Sequence, residues 1–138
     1  MALPKSGKSQ EFIRAALQRF EDARTLLNAD RTTGAVYLAG YSVECAFKAL
    51  LLSRLGATKR AEMMESFRGA RGHSLDSLRD RYERITGVRL PMVIAKEFSH
   101  VISWNTDMRY ETGTIRSLEA ITFVRAVEII LTWIEKRV

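Results

Sequence analysis

The stretch GAVYLAGYSVECAFKALLLSRL, residues 34–55, decides the fold of this protein. Its first twenty residues contain only two charged side chains, Glu44 and Lys48. A helix with so few polar positions is apolar around most of its circumference, and it must be buried on several sides. The stretch therefore predicts one long central helix that is packed inside a bundle of other elements.

A membrane span is a poor account of the same stretch. Its longest uncharged run, residues 32–43, has twelve residues and includes two glycines. Crossing a bilayer takes about 18 to 20 apolar residues, so a buried core helix explains the pattern better. The N-terminal residues also lack the long apolar run of a signal peptide, and we expect a cytoplasmic protein.

The rest of the sequence carries the apolar spacing of helices. Apolar residues recur at intervals of three and four, and no segment shows the period-two alternation of a strand. This pattern predicts five helices, and residues 59–67 can add a short one. The predicted starts lie near Ser9, at Thr32 or Thr33, at Ser74, near Pro91, and at Thr114 or Ser117.

Two glycines are placed to end predicted helices. Gly56 follows the central helix and Gly87 follows the helix that begins at Ser74, and both are expected to adopt the left-handed cap conformation. Short connectors between successive helices favour antiparallel neighbours. We therefore predict an all-α, up-and-down bundle of four to five helices, with residues 1–138 in a single domain.

The excess of positive charge lies mostly in the middle of the chain. The net charge is +6, and residues 54–89 contain nine Lys and Arg against five Asp and Glu. Seven of those nine cations are arginines from Arg60 onward. Arginine suits phosphate contact because its planar guanidinium binds phosphate oxygens in pairs. Two interpretations stay open, a nucleic-acid contact and an ordinary solvated face.

One polar line crosses the apolar central helix. Tyr37, Tyr41, Glu44 and Lys48 follow one another at helical spacing, and the acid precedes the amine by four residues, the favourable order for an ion pair. One hypothesis has Lys48 binding a phosphate while Glu44 holds it in place. The other is an internal pair that satisfies itself and fixes the register of two subunits.

Further candidate residues are His73 and those of the segment 104–110, which precedes the last predicted helix and is called the connector below. His73 could bind phosphate or act as an acid or base, or it could simply hydrogen-bond to another helix. In the connector, Arg109 could clamp a phosphate while Trp104 or Tyr110 stacks on a base. Alternatively, the two aromatic residues fill the end of the bundle and Asp107 pairs with Arg109.

The sequence predicts neither a metal nor a cofactor. The single cysteine, Cys45, lies in the central helix, and no carboxylate pair at metal spacing stands beside a histidine. The phosphate-binding loop, the dinucleotide fingerprint and the HExxH motif are also missing. Catalysis would therefore have to be metal-free acid–base chemistry.

Three segments, taken in order, resemble one family. They are AVYLAGYSVECAFKALL at residues 35–51, HSLDSL at residues 73–78 and the pair Arg109-Tyr110. Together they resemble the HEPN domain (higher eukaryotes and prokaryotes nucleotide-binding), in its small stand-alone bacterial and archaeal type. The resemblance implies a helical bundle, often homodimeric, that binds nucleotides or RNA. It also implies a possible partner, because such domains occur beside nucleotidyltransferases.

One branch of that family consists of metal-independent ribonucleases, which the resemblance makes an alternative here. Those enzymes carry Arg-x4–6-His near the end of the bundle, but no histidine follows Arg109. The only match in spacing is Arg68 with His73, which lies between the second and third helices of the predicted bundle. Whether the chain is an enzyme therefore stays open, and the position of the match favours a protein that is not one.

We expect a dimeric module that interacts with nucleotides or RNA, paired with a nucleotidyltransferase of toxin–antitoxin type. The alternatives are a ribonuclease toxin that uses Arg68 and His73, and a purely helical interaction protein. The polar line, His73 and the connector are expected to meet in one region. The predicted ligand-binding residues are Tyr41, Glu44, Lys48, His73, Trp104, Asp107, Arg109 and Tyr110.

Overall fold

A computed structural model of the chain describes residues 7–138, which form an all-α bundle, as predicted. This part of the chain contains no strand, and it has six α-helices instead of four to five. The additional helix is the short α3, which has no fully buried residue and packs against the core through the partly buried Met63 and Met64. The helices are α1 (Gly7–Asn28), α2 (Thr32–Ser53), α3 (Ala57–Ser66), α4 (Leu75–Thr86), α5 (Met92–Val101) and α6 (Ser117–Glu135), with 3₁₀ turns at Ala70–His73 and Thr106–Tyr110.

Helix α2 is the centre of the core. Sixteen of its 22 residues are buried, as its apolar composition predicts. By length and hydropathy alone α2 could cross a membrane, but 83% of its most apolar 18-residue window is buried inside the bundle. The apolar surface of α2 is therefore accounted for by protein packing.

Helix α1 runs antiparallel to α2. The Ser9 hydroxyl near the start of α1 donates to the Ala49 carbonyl near the end of α2, at 2.8 Å. At the other end, Leu26 packs so closely against Gly34 that a Cβ on the glycine would lie 3.3 Å from the leucine methyl. These two contacts join opposite ends of the helices, so the short 28–32 connection makes a helical hairpin.

Helix α6 runs parallel to α2. The Thr32 hydroxyl at the start of α2 donates to the Ile115 carbonyl, two residues before α6 begins, at 2.7 Å. The Arg54 guanidinium just after α2 donates to the carbonyl of Arg137, just after α6, at 2.9 Å. The starts of α2 and α6 therefore lie together, and so do their ends, which means that the two helices run in the same direction.

Helix α5 completes an up-down-up-down set made of α1, α2, α5 and α6. The Phe98 ring of α5 packs edge-on against Phe47 of α2, with centroids 5.6 Å apart. Trp104, which follows α5, lies against Gly40, two turns nearer to the start of α2. Since α5 therefore runs from the later to the earlier residues of α2, it is antiparallel to α2, and α3 and α4 form an excursion between the second and third members of the set.

The cap predictions for α4 are confirmed. The Ser74 hydroxyl accepts from the Ser77 amide at the start of this helix. Gly87 ends it with φ of 70°, in the left-handed region that glycine adopts without steric cost. The local sequence decided both ends of α4.

The other cap predictions were wrong. Gly56 is extended, with φ of −77° and ψ of 173°, because it already leads into α3 instead of closing α2. Arg31 and Arg116 occupy the N-cap positions of α2 and α6 without side-chain capping bonds. Thr32 and Thr33 donate instead to the carbonyls of Ile115 and Gly113, while Ser117 lies inside α6 and Thr114 before it.

Candidate functional site

Glu44 and Lys48 form a buried ion pair. The Lys48 amine donates to the Glu44 carboxylate at 2.9 Å. Glu44 is 1% exposed and Lys48 5% exposed, so both charges have been removed from water. A buried charge is stable only when it is paired and hydrogen-bonded, which explains why the two residues occur together, one turn apart.

Aromatic rings cover the amine of Lys48. The nitrogen lies 5.1 Å from the centroid of the Phe67 ring and 5.9 Å from that of the Phe12 ring. The electron-rich ring faces attract the cation, in addition to the carboxylate. With these partners, the geometry favours the internal pair over a phosphate clamp at Lys48.

His73 joins the pair from the other side. Its Nδ1 lies 3.2 Å from each oxygen of the Glu44 carboxylate. A carboxylate only accepts, so Nδ1 carries the hydrogen in this contact, and Nε2 has no hydrogen-bond partner in the part of the chain that the structure describes. The side chain is 44% exposed, so His73 connects the buried pair to the surface.

The segment between Phe67 and His73, the 67–73 turn, is therefore anchored at both ends. Phe67 lies over Lys48, and His73 contacts Glu44. The turn closes at Gly72, where an added Cβ would lie 2.1 Å from the Phe67 carbonyl oxygen, so only glycine fits. The buried pair thus determines the position of a surface turn that carries two arginines.

Arg68 and His73, which match the ribonuclease spacing, do not contact each other by hydrogen bond or ion pair within residues 7–138. Arg68 lies 3.5 Å from Glu65, and its side chain is 80% exposed. His73 contacts Glu44 instead. In a single chain, therefore, the arginine and the histidine do not form one assembled pair.

Three further cations surround a small surface cleft beside the turn. Arg71, Arg81 and Arg84 line this cleft of about 370 Å³, which we call the arginine cleft. Its other lining residues are the hydroxyl-bearing Ser74 and Ser77 and the carboxylates Asp76 and Asp80. Burial, and then the charges of Arg71 and Arg84, lower the pKa of Arg81 below its usual range. Like charges here are close enough to repel one another.

Sequence reasoning did not single out Arg81 and Arg84. The only signal was the basic balance of residues 54–89, which does not say which arginines converge. Arg81 and Arg84 are three residues apart on α4, so they share a face of that helix. Arg71 reaches the same cleft only because the turn folds back onto α4, which is a tertiary fact.

Trp104 is a core residue. It is buried, stacks on Tyr37 with ring centroids 6.0 Å apart, and donates from Nε1 to the Tyr37 carbonyl at 3.1 Å. Gly40 makes this possible, since a Cβ there would lie 2.1 Å from the indole. The geometry favours the end-filling interpretation of Trp104 over stacking on a base.

The rest of the connector lies at the surface. The Arg109 guanidinium lies 4.9 Å from the centroid of the exposed Tyr110 ring. Arg109 also lines an open cleft of about 560 Å³ with Tyr37 and the first residues of α2. Asp107 is exposed and makes no ion pair with Arg109 in the described residues, so the predicted local pair is not formed.

Tyr41 and Cys45 stay protonated near neutral pH. Interaction with Cys45, followed by burial, raises the pKa of Tyr41 to about 12. Burial and the charge of Glu44 raise the pKa of the Cys45 thiol to about 11. A thiol with a raised pKa is a poor nucleophile, so Cys45 acts as a small apolar residue.

The polar line, His73 and the connector were expected to meet in one region, but their residues lie in two separate groups. Glu44, Lys48 and His73 form one group, and Tyr37 with Trp104 forms the other. Tyr37 and Glu44 are seven positions apart in α2, about 10 Å along the helix, and no hydrogen bond or ion pair joins the groups in the described range. The reason is that the turn and the connector pack against different levels of α2.

No group of three or more metal-ligating side chains is found within residues 7–138. A model of the HEPN domain matches residues 9–137, nearly the whole chain. No curated protein and no solved structure matches the sequence significantly. The family match supports a nucleotide- or RNA-related module.

Proposed function

Because the chain belongs to the HEPN domain family, a nucleotide- or RNA-related class, we propose that it is an RNA-binding module. Its contact surface is the 67–73 turn together with the adjoining face of α4. The observation that carries this function is the anchoring of the turn. The Glu44–Lys48 pair is neutralised internally, and the turn it holds presents Arg68 and Arg71 to solvent.

The charge of this surface suits a phosphate chain. Arg68 and Arg71 lie on the turn and Arg84 lies on α4, so the cations are spread over two elements. A series of backbone phosphates can meet such a spread, whereas one isolated phosphate meets only part of it. Because Nδ1 carries the hydrogen, the free Nε2 of the half-exposed His73 ring in the same turn can accept a hydrogen bond from a ribose hydroxyl.

Binding of a short single-stranded RNA with a 5′-hydroxyl end, followed by fluorescence anisotropy over a range of salt concentrations, tests the proposal. We expect the slope of log K against log salt to fall by about 0.7 for each phosphate contact that is lost. Arg68→Gln with Arg71→Gln should therefore reduce both affinity and slope. The control is Arg24→Gln, which removes an exposed arginine from α1, away from the turn and from α4. Absence of binding by the wild type at low salt, or equal binding by the double variant, contradicts the proposal.

A metal-independent ribonuclease is the second candidate, and the Glu44–His73 contact favours it. A carboxylate that fixes Nδ1 of a histidine leaves Nε2 for acid–base work. Nε2 of His73 would accept the proton of a ribose 2′-hydroxyl as that oxygen bonds to the adjacent phosphorus, with Arg68 of the same turn as the cation for the phosphate. The bond from phosphorus to the 5′-oxygen of the next nucleotide breaks at the same time. That oxygen leaves as a hydroxyl with a proton from water, and the other product is a 2′,3′-cyclic phosphate. Incubating RNA with wild type and His73→Ala separates the two functions. Cleavage that is lost in the variant supports the nuclease, and intact RNA with wild type ends that case.

The assembly belongs to the same proposal. The module is proposed to be a homodimer and to pair with a nucleotidyltransferase in a toxin–antitoxin system. Support for the dimer comes from Leu118, Ile121 and Ile129, which are exposed apolar residues of α6. Support for the nucleotidyltransferase comes from the family resemblance alone. Size-exclusion chromatography of this protein mixed with the nucleotidyltransferase tests the pairing. Coelution of the two proteins supports it, and separate elution contradicts it.

A further inference from the structure

The arginine cleft carries an unneutralised charge. Within residues 7–138, Arg71 and Arg84 make no ion pair with a carboxylate, and Arg81 donates to the hydroxyl of Ser66 at 2.9 Å. Three guanidinium groups that converge on a cleft lined by only two carboxylates, both paired with another arginine, are unfavourable in isolation, because like charges repel. An anionic ligand that neutralises all three would remove this cost.

The carboxylates nearest to the cleft are already engaged. Asp76 and Asp80 line the cleft, and both form ion pairs with Arg79, a residue of α4 that is not part of the cleft lining. Arg79 therefore neutralises much of their charge. Counting these two acids against Arg79 and the three cleft arginines leaves a balance of +2, since four positive charges face two negative ones.

The dimensions and donors of the cleft suit one phosphate group. Its volume of about 370 Å³ accepts a phosphate with part of its nucleotide, but it is too small for several nucleotides. The planar guanidinium groups can each donate two hydrogen bonds to phosphate oxygens. Ser77 adds a hydroxyl, while the hydroxyl of Ser74 already accepts from the amide of Ser77.

We propose that the arginine cleft binds the terminal phosphate monoester of an RNA chain or of a free nucleotide. A monoester carries a charge of about −1.5 to −2 at neutral pH, which matches the +2 balance of the cleft residues taken together with Arg79, the partner of their two acids. An internal diester carries only one negative charge, so it would leave the cleft partly uncompensated. A terminal phosphate also has three free oxygens, enough to meet three arginines.

This inference rests on the proposed function for its RNA ligand, but it makes a separate claim about the chain end. The experiment compares one RNA sequence with a 5′-phosphate, with a 3′-phosphate and with hydroxyl ends, and AMP serves as a competitor. We expect one of the phosphorylated ends to bind about tenfold more tightly than the hydroxyl form, as charged hydrogen bonds allow. Competition by AMP at the concentration of the RNA would identify a free nucleotide as the source.

The variants are chosen to leave the fold intact. Arg71→Gln and Arg84→Gln change exposed side chains, whereas Arg81 packs on Phe67 and is left unchanged. We expect each of these two variants to lose the tenfold preference for phosphorylated RNA. Arg84→Lys should keep part of the preference, because lysine carries the charge but lacks the planar guanidinium with its paired donors. Arg24→Gln on α1 should keep the full preference. Unfolding curves that overlay the wild type exclude a fold defect.

The two claims fail in different ways. Equal binding of phosphorylated and hydroxyl RNA by the wild type overturns the cleft assignment and leaves RNA binding by the surface intact. A phosphate preference that survives in both Arg71→Gln and Arg84→Gln also overturns it. Binding of AMP that depends on Arg84, without binding of any RNA, supports the cleft and overturns the RNA-binding function.

Discussion

Lys48 and Glu44 show at the scale of single residues how strongly a buried pair depends on both partners. Lys48→Met leaves the Glu44 carboxylate buried without its main cation, and we expect a loss of about 3 to 5 kcal/mol in the free energy of unfolding. Urea denaturation measures the change.

The exposed Lys59, which lies 3.5 Å from Glu62, provides the matched control for that prediction. Lys59→Met removes the same group from a surface pair, so a change of less than about 0.5 kcal/mol is expected. The double variant Glu44→Gln with Lys48→Met should lose less than the sum of the single losses. Comparable losses for Lys48→Met and Lys59→Met would contradict the burial argument.

Gly72 gives a second prediction at this scale. An alanine there would place its Cβ 2.1 Å from the Phe67 carbonyl oxygen, so the 67–73 turn must open. We expect Gly72→Ala to weaken RNA binding and to lower the melting temperature. Gly69→Ala in the same turn is the control, because nothing lies within 4 Å of its Cβ position. Unchanged RNA affinity in Gly72→Ala would show that the turn is not the contact surface.

The raised pKa of Cys45 predicts how the stability of the protein depends on pH. Folding raises the pKa of Cys45 from 9.0 to about 11, so the folded state holds the thiol proton more tightly than the unfolded state. This contribution is complete below about pH 9, and it is lost as the pH rises toward 11. The free energy of unfolding should therefore fall across this range, and less steeply in Cys45→Ala. An identical slope in the variant would contradict the assignment.

At the scale of elements, the start of α4 carries the clearest prediction. The Ser74 hydroxyl accepts from the Ser77 amide, so Ser74→Ala should reduce stability by about 1 kcal/mol. Ser117, at the start of α6, makes no capping bond, and Ser117→Ala should change stability little. Thermal unfolding of both variants tests the pair, and equal effects would contradict the capping assignment.

The connections between elements show where sequence reasoning stops. Ser74 and Gly87 were predicted as the ends of α4 because capping depends on neighbours within the same few residues. Thr32 and Thr33 were expected to do the same at α2, but their hydroxyls donate to carbonyls 80 or more residues away. A local rule could not anticipate a bond whose acceptor is supplied by another part of the fold.

At the scale of the whole molecule, α6 presents an exposed apolar face. Leu118, Ile121 and Ile129 lie on one side of the helix, and Leu118 is 77% exposed. If this face is the dimer interface, Leu118→Glu should convert the dimer to a monomer in sedimentation velocity. Val88→Glu, an exposed apolar position outside α6, is the control. A wild type that is monomeric at high concentration would contradict the proposal.

The sequence by itself determined the helical class, the central helix and the Glu44–Lys48 pair. These follow from apolar spacing, from the rule that a buried charge needs a partner, and from the four-residue spacing that places this acid and amine side by side on one helix. Only the tertiary structure decided that His73 contacts this pair, that Trp104 fills the gap at Gly40, and that Arg71 joins Arg81 and Arg84. The physical reason is distance along the chain, because such contacts depend on how separate elements pack and not on the residues adjacent in sequence.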